Sequence, residues 1–152
     1  MIPFLQSLHK IFDRDIAKME AEISQYPTEE SIWNIDGAIK NPGGNLCLHL
    51  CGNLQHYIGA VLGGTDYKRN RDLEFSAKNV SRHDLLAEIQ RTRQAVATTL
   101  ERLDPNLLEK DYPAPVFDYA MTTSFFLIHL SAHLGYHLGQ INYHRRLCAA
   151  SS

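Results

Sequence analysis

His129-Leu-Ser-Ala-His133-Leu-Gly-Tyr-His137-Leu-Gly-Gln140 is the stretch on which the reading of this chain turns. An α-helix carries residues four apart onto one face, one turn from each other. His133 and His137 therefore direct two imidazoles at one point, but two histidines do not complete a metal site. The best donor of a third is His49, in His49-Leu-Cys-Gly-Asn53-Leu-Gln-His56, with His129 or His56 as the substitute. The spacing predicts a three-histidine site, His49, His133 and His137, between two helices.

Outward from this stretch, the helix is expected to run from about residue 122 to 147. Leu127, Leu130, Leu134, Leu138 and Ile141 fall on one side, and Phe126, His129, His133, Tyr136, His137, Gln140 and His144 on another. A helix with so little polar surface must be enclosed or covered by a second subunit, so a homodimer is expected. Phe4, Leu5, Leu8, Ile11, Phe12, Ile16, Met19 and Ile23 recur at helical spacing and predict a first helix over about 3–25. Trp33, in the following turn-rich segment, is placed over one end of the bundle. Asn41-Pro42 reads as an N-cap with proline at the first helical position, opening a second helix that reaches about residue 62. Gly52 and Gly59 on it permit close approach of a neighbouring backbone. Ser81-Arg-His83-Asp84 opens a third helix, with Leu85, Leu86, Ile89, Val96 and Leu100 on its apolar side, stopped at Asp104-Pro105. Residues 63–80 read as a long connection of mixed charge that crosses the bundle or serves the site. The fold predicted is an all-α four-helix bundle, with residues 1–152 as one domain. Its second and third helices run parallel across the long crossover, while one/two and three/four are antiparallel.

Desolvating three imidazoles without partners would cost on the order of a few kcal/mol each, against a whole-domain stability of ~5–15 kcal/mol. A metal ion uses all three lone pairs at once. Three neutral imidazoles and no evident carboxylate ligand suit a divalent transition metal, Zn²⁺ first and Ni²⁺ next. No Glu-x-x-His pair is present, which counts against a di-iron bundle. The segment between His133 and His137 has no glutamate, so the metalloprotease pattern is absent. Three ligands leave a coordination position open, the mark of a catalytic site. Hydroxide there would make a hydrolase and thiolate a thiol transferase, whereas a position closed by protein would make a metal-binding bundle without turnover. His129, Tyr136 and Gln140 are the candidate catalytic contacts. In Arg69-Asn-Arg71-Asp-Leu-Glu74-Phe75, Arg69 or Arg71 is a candidate for binding a substrate carboxylate, with Glu74 orienting one of them by a charge-assisted hydrogen bond.

These residues also carry a family resemblance. With His133, His137, Gly139 and Gln140 in a His-x-x-x-His-x-Gly-Gln pattern, the chain resembles the DinB-like superfamily of four-helix bundles over nearly its whole length, in a branch of largely uncharacterised function. The resemblance implies a third metal ligand on the second helix, where His49 sits. It also implies a metal-dependent transferase or isomerase that uses a low-molecular-weight thiol such as bacillithiol or mycothiol, with the thiol and an electrophile as small-molecule partners. On that reading Arg69 and Arg71 clamp the thiol's carboxylates, and His129, Tyr136 or Gln140 hydrogen-bonds the electrophile or orients a ligand.

Other classes are disfavoured. A net charge of -2, from 15 Lys and Arg against 17 Asp and Glu, gives no electrostatic footprint for nucleic acid or an anionic membrane. There is no apolar run of about 18 residues and no signal-peptide pattern at the N-terminus, so a cytoplasmic location is expected. Three cysteines are too few, and odd in number, for a disulfide framework. Cys47 and Cys51 flank His49 on the helix, face away from the proposed metal, and read as buried small hydrophobes.

Overall fold

A computed structural model describes residues 1–150 of the protein. The first helix, α1 (Pro3–Gln25), opens on a proline, which has no N–H to lose at that position, and buries Leu5, Leu8, Phe12, Ile16, Met19 and Ile23. A 3-10 turn at Glu30–Trp33 leads to α2 (Gly43–Leu54), which continues into a π-helical segment, Gln55–Ala60. The short α3 (Arg71–Ser76) precedes α4 (Arg82–Arg102), and α5 (Thr123–Ala150) closes the chain. Among the described residues there is no strand; one isolated antiparallel bridge joins Asp111 and Thr122.

The bundle of α1, α2, α4 and α5 is the expected all-α fold, and residue pairs give its directions. Asp13 with Arg93, and Ser24 with Arg82, make α1 and α4 antiparallel. Gln55 with Glu88, followed by Gly59 near Ala95, makes α2 and α4 parallel across their long connection. Gly43 with His144, His49 with His133, and Tyr57 with Phe126 make α2 and α5 antiparallel. Packing differs from chain order: α1 lies mainly on α4 and α5, and α2 on the same two helices and on α3, so α1 and α2 are diagonal partners. Each helix thus faces the core through two neighbours.

Two boundaries correct the sequence reading. Pro42, not Asn41, is the residue before α2 and has no side-chain acceptor to cap it; His144 of α5 accepts the Gly43 N–H instead. The connection after α2 is not simply loop, because Asn70 Oδ1 accepts the Leu73 N–H and starts α3 there. Ser81 does cap α4, its Oγ accepting the Asp84 N–H at 3.1 Å. In the π segment, Val61 N–H reaches the His56 carbonyl and Gly63 N–H the Ile58 carbonyl, each five residues back. The Tyr57 carbonyl accepts the Tyr112 hydroxyl at 2.6 Å.

Trp33 is buried against the start of α2, where a Cβ on Gly44 would lie 2.7 Å from its ring. Cys47 and Cys51 are buried in the core as expected, and the Cys47 thiol is pushed well above its ordinary pKa by its hydrogen bond with Cys51 and by burial. No described helix is long and apolar enough to cross a membrane. On α5, Phe125, Ile128, Ala132, Gly135 and Gly139 form an exposed face at three- and four-residue spacing, with open space where a Cβ on either glycine would stand.

Candidate metal centre

His49 stands on α2, and His133 and His137 stand one turn apart on the antiparallel α5. The three offer ligand atoms that all lie within 4.8 Å of one another. The Nε2 atoms of His49 and His133 are 3.2 Å apart, and the His133 and His137 ring centroids 4.5 Å. What turns the rings is visible on their far sides. His49 Nδ1 donates to Glu74 Oε1 at 3.0 Å, and His137 Nδ1 donates to Gln140 Oε1 at 2.7 Å. A proton held on Nδ1 by an acceptor leaves the Nε2 lone pair for a metal. Without an ion, His133 Nε2–H can donate to His49 Nε2; with the His133 proton on Nδ1 all three lone pairs are free for an ion, and a donor set of three imidazoles is one that zinc and nickel accept. The residues fit the ion. His133 Nδ1 is buried and has no partner among the described residues.

The electrostatics keep the ligands ready. Burial first, and then His137, His49, His129 and Arg69, push the His133 pKa from 6.5 down to about 4. His137 is also lowered, by burial against the upward pull of Gln140, and by His49. Both are neutral near pH 7, the form a metal requires. Burial likewise lowers His144, whose Nδ1 accepts the Tyr26 hydroxyl at 2.6 Å. Each folded pKa lies below the unfolded value, so below pH ~6.5 the unfolded chain binds more protons and stability falls with pH. The metal-free protein is accordingly expected to lose stability progressively between pH ~6.5 and ~4. Urea midpoints at pH 7.5, 6, 5 and 4 check this, and a flat profile across that window would contradict it.

Glu74 is the centre's least obvious member. Its side chain is 7% exposed and that of Arg69 10%. Arg69 donates from Nε to Oε2 at 2.9 Å and from Nη2 to Oε1 at 3.0 Å. Burial pushes the Glu74 carboxyl up, but hydrogen bonds from His49 and Arg69, with their charges, hold it below its ordinary value. Asn45 fastens this strap to α2 by donating from Nδ2 to the Glu74 and Ala77 carbonyls. Gly52 makes room for it: a Cβ there would lie 1.9 Å from Glu74 Oε2. The close approach expected at Gly52 is thus made by a side chain, not by a neighbouring backbone. Since Arg69 and His49 both grip the carboxylate, it has little freedom to step aside. Gly52→Ala is expected to weaken zinc affinity roughly tenfold, by displacing the group that orients His49. Competition titration against a zinc-sensitive dye measures it, and unchanged affinity would show that Glu74 does not orient the ligand.

The other predicted site residues are distributed around this cluster. His129 is not among the three; its ring stacks on Phe126 at 5.8 Å and stands 6.4 Å from His133. Gln140 orients His137, and the Tyr136 ring meets His137 at 5.2 Å while remaining 66% exposed. Arg69 is engaged with Glu74. Arg71 is exposed, its guanidinium 5.4 Å over Phe75, whose ring is 4.8 Å from His49. His56 packs on Tyr57 and stays outside the cluster. The sequence reading paired Glu74 with an arginine but missed its bond to His49. The Asn70 cap of a short helix was the available signal that this segment is ordered.

The sequence profile of the family described as "Protein of unknown function (DUF1572)" matches residues 2–151. A DinB-like protein from Bacillus cereus ATCC 10987 has a similar structure, with a TM-score of 0.73 at 17% identity over 96% of this chain and 91% of that one. At that identity the likeness is one of fold. No curated protein matches the chain.

Proposed function

The chain belongs to the DUF1572 family, and from its three-histidine cluster on a DinB-like fold we propose that it is a metal-dependent S-transferase, binding zinc, or next nickel, and joining a low-molecular-weight thiol to an electrophile. The observation that carries the reading is the convergence of His49, His133 and His137, two of them with Nδ1 held by Glu74 and Gln140. When bound, the ion supplies Lewis-acid chemistry, lowering the pKa of a thiol or water that reaches it. The rest falls to the chain. His49, His133 and His137 hold the ion, and Glu74 and Gln140 keep the rings turned toward it. His129, with no hydrogen bond to another side chain among the described residues, is placed on the same face of α5 to donate to an electrophile, and Tyr136 stands at the rim. Positioning of this kind is worth several kcal/mol of barrier.

Glu74 favours transfer over hydrolysis. A hydrolase of the usual carboxylate-assisted kind needs a free carboxylate base beside the nucleophilic water. The carboxylate that touches this cluster is gripped by Arg69 and His49 and held below its ordinary pKa, which makes it a poor base. The test is consumption of small thiols with monobromobimane, which is expected to require metal and to be lost in His137→Ala. Metal-dependent ester or amide hydrolysis without thiol consumption would replace the transferase by a hydrolase. Metal binding with neither activity would leave a bundle without turnover.

The assembly proposed is a homodimer of cytoplasmic protein, a second copy covering the exposed α5 face at Phe125, Ile128, Gly135 and Gly139. Light scattering at micromolar concentration is expected to give twice the chain mass, and Ile128→Glu to give the monomer. A monomeric mass for the unaltered protein would remove the assembly claim.

A further inference from the structure

Beside the metal centre, on the Gln140 side of His137, lies a cavity of about 490 Å³. That volume suits a small organic molecule. Its walls are the segment before α2, including Ile39 and Lys40, and the outer turns of α5, including Tyr136, Tyr143 and Leu147. Two observations give its charge preference. Among the described residues that line it, Lys40 is the one Lys or Arg, it is exposed, and none is acidic. Asp36, on the same segment, is exposed and does not line the cavity. The N-terminus of α2, directly after this wall, has no acidic residue in its first turn, and its first N–H is accepted by the His144 ring, which burial keeps neutral, so no charge offsets its positive end. The inner wall is fixed in place, because His144 Nδ1 accepts both the Tyr26 hydroxyl and the Gly43 N–H.

We propose that this cavity binds a small organic monoanion: an apolar body carrying one carboxylate, with the carboxylate at Lys40 and the body against Tyr136, Tyr143 and Leu147. Its far end then lies at Gln140 and His137. The arrangement moves anion recognition away from Arg69, which is committed to Glu74, to the opposite flank of the centre. A substrate role for the monoanion rests on the metal-dependent activity proposed above, whereas its binding does not require metal.

The probe is 4-phenylbutyrate, titrated by calorimetry and by amide NMR into metal-free and zinc-loaded protein, with 4-phenylbutyramide as the neutral analogue. Saturable binding is expected in both forms, with shifts around Lys40 and the Gln140 side chain. An exposed ion pair contributes up to about fivefold in affinity. The amide and Lys40→Ala are therefore expected to weaken binding roughly threefold to fivefold, and Lys40→Glu about tenfold. Lys40→Arg should retain binding, and Lys10→Glu, on α1, should leave it unchanged. Equal binding of acid and amide, indifference to Lys40→Glu, or no saturable binding would overturn the assignment. Phenylbutyrate binding without zinc binding would uphold this site and end the metal reading; zinc binding without any carboxylate binding would do the reverse.

Discussion

Zinc is expected to raise the melting temperature of the wild-type protein by roughly 10 °C, and His133→Ala or His137→Ala to abolish that rise. The size follows from mass action. A ligand at about a thousand times its Kd that binds only the folded state stabilises it by ~4 kcal/mol, and a domain of this length gains ~2–4 °C per kcal/mol. Removing either histidine leaves two imidazoles, too few to hold the ion at micromolar concentration. His83 is the control: its side chain is 91% exposed and pairs with Asp84, so His83→Ala should behave as wild type. Elemental analysis after gel filtration gives the same answer independently of stability, with about one ion per chain expected. Equal metal content in the wild type and all three ligand variants would dispose of the site.

Glu74→Ala should produce the second large effect, on stability and metal affinity together. It strips a buried guanidinium of its bidentate partner and leaves His49 Nδ1 without its acceptor. Breaking one side of a buried ion pair costs about 3–5 kcal/mol, because the remaining charge stays desolvated. Loss of a carboxylate that orients a ligand histidine lowers metal affinity ~10–100-fold. Glu74→Gln separates the two functions. The amide oxygen can still accept from His49, so affinity should fall by less, while the ion pair with Arg69 is lost. Urea unfolding of the metal-free variants and zinc competition measure both terms. Wild-type affinity in Glu74→Ala would refute the orienting role even if the protein were destabilised.

Much of the bundle was legible because its signals are local. The 3.6-residue period alone places α1 at Pro3–Gln25, and the Ser81 cap places the start of α4. The crossover was recognisable from its length, and it does leave α2 and α4 parallel. Its helical content was harder to see. α3 has six residues, too few for a period to emerge from the mixed charges of Arg71-Asp-Leu-Glu74, and its order depends on Asn45 of another helix. The Asn41-Pro42 reading slipped by one residue, since the chain puts Pro42 itself at the boundary and the Gly43 N–H is met by His144 from α5.

The ligand set divides in the same way. Spacing four residues apart places His133 and His137 on one face whatever surrounds the helix, so that pair was determined by the chain itself. His49 was identified as the third ligand because an α2–α5 contact was assumed, and the fold supplies that contact at 3.2 Å between Nε2 atoms. Only the tertiary structure decided that Glu74 faces His49 across 25 residues, that Gly52 clears the space between them, and that Arg69 is thereby engaged. Only it set Lys40 in the wall of a cavity beside His137, and α1 opposite α2 on the diagonal. The reason is physical: backbone hydrogen bonds and side-chain period act over a few residues and can be read one turn at a time. Which distant groups meet is settled by how the four apolar faces share one core, a property of the packed chain as a whole.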